Sequence, residues 1–266
     1  MKLAVNGSTV YAYTGGKPFD ASLPCVVFIH GAANDHSVWT LLARWFAHHG
    51  HGVLALDLPG HQRSDGPALR SVEAMADAVL ALLDAAAVPR AALVGHSMGS
   101  LVALQLAARA PTRVSHLAML GTAVPMAVPQ ALLDLARSDL AAAIHRVATF
   151  TCASWPSRLP SANPGLWLRG GAVSLMHQVV HAQGDSQLFH TDFSACHAYS
   201  QGLQAAQQVT CPSLLVLGER DQMTQPRQAH TVAQTLRAQV QHLPCGHALM
   251  QECPDELLRV LRTFLT

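Results

Sequence analysis

Charged residues are scarce in this chain of 266 residues, and the scarcity limits the partners the protein can have. Lysine, arginine, aspartate and glutamate make up 12% of the sequence, the net charge is +1, and no long run of one sign occurs. Proteins that bind nucleic acid or anionic membrane surfaces use clustered basic residues, so the sequence predicts neither partner. Hydrophobic residues make up 50% of the chain, enough for a sizeable buried core.

Long apolar runs are also missing. No segment reaches the roughly 18 consecutive apolar residues of a membrane-spanning helix. The stretch Met1–Gly7 lacks the uninterrupted apolar segment of a signal peptide. We therefore expect a cytoplasmic protein without membrane association, and the sequence leaves its oligomeric state open.

The cysteines and histidines show no metal-binding pattern. The six cysteines include no C-x-x-C pair, and the sixteen histidines include no H-E-x-x-H motif. We expect thiols rather than disulfides, with Cys25 a small buried side chain at the start of a strand. The sequence predicts no metal and no organic cofactor.

Strand-like and helix-like segments alternate through most of the chain, after a hairpin predicted over Lys2–Val5 and Ser8–Tyr13. The strands predicted next are Cys25–His30, Gly52–Leu58, Ala91–Gly95, Val114–Gly121, Ser213–Gly218 and Val240–Leu243. The helices predicted with them are Ser37–His49, Ser71–Ala87, Ser100–Arg109, Pro226–Arg237 and Pro254–Leu265. Near-continuous apolar strands separated by helices predict an α/β fold with a mostly parallel sheet flanked by helices.

The alternation is interrupted once, between about residues 122 and 209. The helices predicted in this stretch are Gln130–Arg137, Asp139–Thr149, Gly171–Gln183 and Phe193–Gln207, with no convincing strand. Ligands bind outside the carboxyl ends of the strands in an open parallel sheet, and the insertion leaves such an end. We therefore predict a core of residues 1–122 and 208–266 and an inserted helical cap of residues 123–207. An insertion without contact to the site is the alternative.

The segment Gly95-His96-Ser97-Met98-Gly99 places a serine between a predicted strand and a predicted helix. A G-x-S-x-G sequence at such a turn holds the hydroxyl out over the end of the sheet. The two glycines remove side chains that would collide with neighbouring backbone. The N-terminus of the following helix also favours negative charge beside the serine. Ser97 is therefore the candidate nucleophile.

A serine nucleophile needs a base to take its proton and an acid to orient that base. His247 follows the last predicted strand, and Asp221 lies in the loop after the Ser213–Gly218 strand. Because loops at one end of a parallel sheet converge, Ser97, Asp221 and His247 are predicted to meet in space.

Each partner of the serine has a rival. Glu219 lies two residues before Asp221, and we prefer Asp221 because it lies farther from the end of the strand. His242 falls inside the last predicted strand, and His96 lies beside the serine and points elsewhere.

Acyl transfer also needs N–H donors for the negative charge that develops on the carbonyl oxygen. The backbone N–H of Met98, directly after the nucleophile, is one predicted donor. The second is expected in the small-residue loop His30–Asn34, where Ala32 is our choice and Ala33 the alternative.

Together these segments resemble the α/β-hydrolase family over essentially the whole chain. The segments that carry the resemblance are His30-Gly31-Ala32 with Trp39, Asp57-Leu58-Pro59-Gly60-His61-Gln62-Arg63-Ser64, the serine elbow, Gly218–Asp221 and Gly246-His247. The order serine, acid, histidine is also the order found in that family. The family's D-x-P-G-x-G-x-S segment has a glycine where this chain has Gln62. Related dehalogenases and many epoxide hydrolases carry aspartate at the elbow, and Ser97 argues against both.

The resemblance is to the capped esterases, lactonases and C–C hydrolases. It implies a serine hydrolase that cleaves a small-molecule carboxylic ester, thioester or lactone through an acyl-enzyme intermediate. Hydrolysis of a C–C bond beside a carbonyl is one alternative, and a non-catalytic binding protein on this fold is another. The residues expected to line the substrate pocket are His30, His96, Trp155, Trp167, Met176 and Phe189. For those in the cap, packing within the cap is the alternative role.

Overall fold

An eight-stranded sheet forms the centre of the structure, a computed structural model that describes residues 1–153, 167–185 and 187–265. The strands are β1 (Lys2–Val5), β2 (Ser8–Tyr13), β3 (Cys25–Ile29), β4 (Gly52–Leu56), β5 (Ala91–His96), β6 (Val114–Leu120), β7 (Ser213–Gly218) and β8 (Gln239–Leu243). Their order is β1-β2-β4-β3-β5-β6-β7-β8. The pairs β1–β2 and β2–β4 are antiparallel and the other neighbouring pairs are parallel, which confirms the predicted sheet.

Helices connect the parallel strands and cover the sheet. They are α1 (Thr40–His48), α2 (Val72–Ala85), α3 (Met98–Arg109), α4 (Gln130–Ser138), α5 (Leu140–Thr151), α6 (Leu168–Ala182), α7 (Leu188–Ala198), α8 (Gly202–Gln208), α9 (His230–Leu236), α10 (Leu249–Glu252) and α11 (Pro254–Leu265). Short 3₁₀ turns over His36–Trp39 and Pro226–Ala229 precede α1 and α9. Within the parts of the chain that the structure describes, no helix has both the length and the apolar character needed to cross a bilayer.

Two hydrophobic clusters lie on opposite faces of the sheet because side chains alternate along each strand. On β3, Val27 and Ile29 pack in the cluster that includes α2 and α3, while Val26 and Phe28 pack against α1 and α11. All five residues of β3 are buried, beginning with the unpaired thiol of Cys25. Full burial of an aliphatic or phenyl side chain stabilises a fold by about 1.5–3 kcal/mol, so packing on both faces stabilises the sheet.

Helices α4 to α8 are inserted between β6 and β7. Helix α5 packs against α4 and α6, and α7 packs against α4 and α3. The predicted single helix Phe193–Gln207 is two helices, because Tyr199 is extended at φ −72° and ψ 101°. The Tyr199 hydroxyl donates to Gln105 on α3 at 2.7 Å, which joins the inserted helices to the core.

Candidate active site

Ser97 lies at the sharp turn between β5 and α3. Its backbone has φ +52° and ψ −118°, a left-handed conformation that costs a non-glycine residue on the order of 1–3 kcal/mol. The N–H of Ser97 donates to the carbonyl oxygen of Leu120 on β6 at 2.9 Å. The Ser97 carbonyl accepts from the N–H of Ser100 at 2.9 Å. These bonds to the sheet and the helix hold the strained turn in place.

The glycines on either side of Ser97 are required by close packing. A Cβ atom at Gly95 would overlap the carbonyl oxygen of Gly99, and one at Gly99 would overlap the carbonyl oxygen of Ile29. The elbow therefore presses directly on the carboxyl end of β3, where the loop with the predicted N–H donors begins. A Cβ at Gly31 in that loop would lie 3.2 Å from the Cβ of Ser97.

Asp221 and His247 are brought together from the loops after β7 and β8. The Nδ1 atom of His247 lies 2.8 Å from Oδ2 of Asp221, and both residues are buried. An ionised carboxylate only accepts hydrogen bonds, so Nδ1 of His247 donates to Asp221 and Nε2 is the ring nitrogen left without a partner among the described residues.

Asp221 is held as a carboxylate by its surroundings. Its Oδ1 accepts from the N–H groups of Met223 and Thr224 at 2.8 and 2.9 Å, and its Oδ2 accepts from the Thr224 hydroxyl at 2.8 Å. Burial would raise the pKa of Asp221, but His247 and these hydrogen bonds lower it to about 2. The rival Glu219 is exposed and does not occupy this position. Thr224 was not predicted, and no sequence motif indicates it.

The His247 ring lies beside the serine elbow. Its centroid is 4.7 Å from the ring of His96, and its Nδ1 and Cε1 lie 3.2 and 3.3 Å from where a Cβ at Gly121 would be. Within the described residues no hydrogen bond joins the Ser97 hydroxyl to this ring. Such bonds are often long or poorly aligned until a substrate is bound.

His96 supports the His247 loop. Its Nε2 donates to the carbonyl oxygen of His247 at 2.8 Å, so Nδ1 is unprotonated. Burial and the neighbouring His247 lower the pKa of His96 to about 3, so the ring is neutral at ordinary pH. Nδ1 is buried without a partner among the described residues and faces Gly31.

The predicted N–H donors differ in their hydrogen bonds. The N–H of Ala33 donates to Oδ2 of Asp192 at 2.8 Å and is therefore taken. The N–H groups of Ala32 and Met98 have no acceptor in the described parts of the chain. Of the two candidates from this loop, Ala32 rather than Ala33 therefore has an N–H without an acceptor among the described residues.

An ion pair that the sequence did not indicate lies behind this loop. Asp192 on α7 also accepts from Nε2 of His61 at 2.9 Å, and both side chains are fully buried. Burial lowers the pKa of His61, but the charge of Asp192 outweighs it and the net shift is upward. The partners are 131 residues apart in sequence, which is why no local motif reveals them.

The segment that differs from the family's glycine pattern keeps its turn. Gln62 takes a left-handed φ of +40°, the conformation a glycine would adopt without strain. Its side chain donates to Asp35 at 3.2 Å. Asp35, His36 and Asp57 are grouped closely enough to suggest a metal site. However, Asp57 accepts from both the N–H and Nδ1 of His36, so hydrogen bonding accounts for the group.

A cavity of about 360 Å³ reaches the elbow at His96, and Ser97, Asp221 and His247 are not among its lining residues. It is bounded by His96, by the loop after β3, by α6 and by α10. Its wall is largely apolar, with Val38, Trp167, Leu175 and Met250 among the lining residues. A larger cavity of about 470 Å³ lies at the amino ends of β3 and β4, the edge of the sheet opposite Ser97.

The structure brings His96 and Trp167 to this cavity and gives three other predicted pocket residues a packing role. Both ring nitrogens of His30 are bonded to backbone, Nδ1 to Gly31 and Nε2 to Leu58, and the side chain is fully buried. Met176 and Phe189 are buried in the hydrophobic cluster that includes the inserted helices. Trp155 lies outside the described residues.

Comparison with known proteins places the chain in a family. Residues 24–252 match the model of the alpha/beta hydrolase fold family. Protein ABHD8 of Mus musculus is 26% identical over 249 residues, which are 90% of this chain and 54% of that protein. The chain therefore spans about half the length of the curated relatives it matches first.

Solved structures share the fold across their whole length. The enol-lactonase of Burkholderia xenovorans LB400 superposes with a TM-score of 0.83 at 24% identity, covering 100% of this chain and 99% of that one. Est816, described as an N-acyl homoserine lactone degrading enzyme, has a TM-score of 0.84 at 23% identity, covering 99% and 100%. The sequence match, the sheet order and these likenesses agree: the chain belongs to the alpha/beta hydrolase fold family.

Proposed function

We propose that the protein is a serine hydrolase that cleaves small carboxylic esters, thioesters or lactones. The observation that carries the proposal is the buried Asp221–His247 pair, 2.8 Å apart, beside the strained elbow that holds Ser97. A base with an orienting carboxylate beside a positioned hydroxyl is the arrangement that acyl transfer requires.

In the proposed reaction, the Ser97 oxygen bonds to the substrate carbonyl carbon while Nε2 of His247 takes the hydroxyl proton. The N–H groups of Ala32 and Met98 bind the carbonyl oxygen as it gains negative charge, each contributing on the order of 10²–10³ in rate. His247 then gives its proton to the departing alcohol or thiol as the bond to the carbonyl carbon breaks. A water oxygen next bonds to the acyl carbon while His247 takes a water proton, and the bond between that carbon and the Ser97 oxygen breaks as His247 gives the proton to Ser97. Asp221 keeps the ring in the required tautomer throughout.

The inserted helices are proposed to act as a cap. The cavity of about 360 Å³ between α6, α10 and the core provides an apolar space for the acyl or alcohol portion. Two of the solved relatives are named for lactones, the enol-lactonase and Est816, which supports including lactones in the substrate class.

The test is turnover of p-nitrophenyl esters of increasing chain length and of aliphatic lactones by the wild type, Ser97→Ala and Ser174→Ala. Ser174 is exposed on α6 and serves as the matched control. We expect Ser97→Ala to lower kcat by about 10⁴–10⁶ and Ser174→Ala to leave it unchanged. Turnover in Ser97→Ala equal to that of the wild type would contradict the proposal. Cleavage of a vinylogous diketone, with no ester or lactone turnover, would instead indicate C–C hydrolysis.

A further inference from the structure

Asp192 is a buried acid in the inserted helix α7, and its side chain makes polar contacts with the core. Its Oδ2 accepts from the N–H of Ala33, which is 159 residues away, and from Nε2 of His61, which is 131 residues away. The side chain has no exposed surface. Its other oxygen, Oδ1, has no partner among the described residues. An apolar side chain would fill the same space without burying a charge, so packing alone does not explain an aspartate here.

The charge state of His61 follows from its two neighbours. Nε2 faces Oδ2 of Asp192 at 2.9 Å, and Nδ1 faces the carbonyl oxygen of Pro59 at 3.2 Å. A carbonyl oxygen and an ionised carboxylate only accept hydrogen bonds, so with Asp192 ionised both ring nitrogens of His61 donate and the ring is an imidazolium. His30 nearby is different, because its Nε2 accepts from the N–H of Leu58 and the ring is therefore neutral.

Other titratable groups face the pair from each neighbouring element. Asp57, after β4, favours the charged form of His61. His30, after β3, has its ring 4.8 Å from that of His61, and His61 contributes to lowering the pKa of His30, after burial. Cys196 lies one turn along α7 from Asp192, and burial and that carboxylate raise its pKa. The negative charges of Asp192 and Asp57 therefore both favour the imidazolium form of His61.

The contact with Ala33 determines the shape of the loop that offers the oxyanion donor. Ala33 is in a left-handed conformation at φ +52° and is fully buried. Its N–H donates to Asp192, whereas the N–H of the preceding residue, Ala32, has no partner in the described chain. A charged acceptor gives a stronger hydrogen bond than a neutral one and holds this turn against its strain.

We infer that Asp192 is a positioning residue through which the inserted helix α7 sets the N–H of Ala32 for the oxyanion, with the His61 imidazolium balancing its charge. The inference rests on the proposed hydrolase function. It means that the inserted helices take part in the rate of the chemical step as well as in substrate selection. Loosening this contact therefore lowers kcat rather than raising KM.

Three variants separate this role from general support of the fold. Asp192→Asn keeps an oxygen for the Ala33 N–H but removes the charge, and Asp192→Leu removes both. Gln183→Ala is the control, because Gln183, directly after α6, donates to the carbonyl oxygen of Gln62 at 2.9 Å in a contact between the inserted segment and the core that does not involve Asp192 or Ala33. We expect kcat about 10²-fold lower in Asp192→Leu, less than 10-fold lower in Asp192→Asn and unchanged in Gln183→Ala, with KM within about 3-fold throughout.

A spectroscopic measurement tests the pair without relying on turnover. Nitrogen-15 NMR of the wild type at pH 7, with His61→Gln for assignment, should show both ring nitrogens of His61 protonated, and one of them deprotonated in Asp192→Asn. If Asp192→Leu does not fold, the kcat of Asp192→Asn and the nitrogen-15 spectrum still test the inference. A neutral His61 in the wild type, or kcat in the Asp192 variants equal to that of Gln183→Ala, overturns the inference. If the wild type hydrolyses no more substrate than Ser97→Ala, the proposed function is rejected. The oxyanion role of Ala32 is then rejected as well, even if His61 is charged.

Discussion

The backbone N–H of His247 donates to the carbonyl oxygen of Thr151, the last residue of α5, at 2.9 Å. The N–H of Ala248 donates to the same oxygen at 3.0 Å. The loop with the candidate base is therefore bonded to the end of an inserted helix. Glu252 completes the connection, because its two carboxylate oxygens accept from the N–H groups of Gly246 and Ala153, each at 3.0 Å.

Removing the Glu252 carboxylate should displace the base. A shift of about 1 Å in a catalytic group can cost on the order of 10² in rate, so Glu252→Ala is expected to lower kcat by about 10–100-fold. Glu252→Gln keeps one acceptor oxygen and should lose less. Steady-state kinetics on one ester check this, with the exposed Asp255→Asn as control. Equal kcat in Glu252→Ala and Asp255→Asn would mean that the loop does not need this support.

The two acids after β7 should differ sharply when neutralised. Asp221→Asn removes the charge beside Nδ1 of His247 and allows the wrong tautomer, so we expect kcat to fall by about 10³–10⁴. Glu219→Gln, at an exposed position two residues earlier, should keep kcat within about 2-fold. The comparison is made at the pH of maximal turnover. The reverse result would assign the orienting role to Glu219.

Chain-length preference should depend on Trp167. This residue lines the cavity beside the elbow while remaining 50% exposed. We expect Trp167→Ala to raise KM for p-nitrophenyl octanoate by about 5–10-fold, equivalent to roughly 1 kcal/mol, because contact with the chain is lost. The KM of Trp167→Ala for p-nitrophenyl acetate should stay within about 2-fold of the wild-type value. Leu41→Ala, at an exposed position on α1, is the control. A uniform change for all chain lengths would place the acyl chain elsewhere.

Acid should destabilise the fold through His96. Its pKa is lowered by burial and by His247 to about 3 in the folded protein, against about 6.5 in an unfolded chain. Between these values the unfolded state binds a proton that the folded state does not, so stability falls as pH falls, by up to about 1.4 kcal/mol per pH unit. His30, whose pKa is also lowered by burial, acts in the same direction.

Urea denaturation at pH 7, 5.5 and 4.5 measures this effect. The free energy of unfolding of the wild type should decline more steeply than that of His96→Asn, which has no titrating ring at this position. The pKa of His61 is raised, so the stability it adds is complete below about pH 6.5 and is lost as pH rises through its folded value. It therefore does not obscure the comparison at acid pH. If the free energy of unfolding declines equally with falling pH in the wild type and in His96→Asn, His96 is not held neutral in the folded protein.

The fold was predictable because its signals are local. The strand Ser213–Gly218 and the hairpin Lys2–Val5 with Ser8–Tyr13 match the predicted bounds, since apolar runs and an Asn6-Gly7 turn specify them. Both turn residues have positive φ, as that turn type requires. The break at Tyr199 was missed because no glycine or proline lies between the two helices in the sequence, and the side chain of Tyr199 bonds to Gln105, which is distant in sequence.

The placement of the candidate site residues was predictable where each follows the end of a strand. Ser97, Asp221 and His247 follow β5, β7 and β8, and the parallel sheet brings these ends together. The contacts of Asp192 and Glu252 were not predicted because their partners are distant in sequence or are backbone groups. Packing of the inserted helices likewise decided which aromatic residues line the cavity.

The central claim is that the Ser97 hydroxyl is an activated nucleophile. Labelling with a fluorophosphonate, followed by intact mass and peptide mapping, tests this most directly. We expect one phosphonyl group on Ser97 in the wild type, none in Ser97→Ala, and labelling slowed by about 10³-fold or more in His247→Ala but not in His242→Ala. Absence of label from wild-type Ser97, or labelling at an equal rate in His247→Ala, would contradict the account.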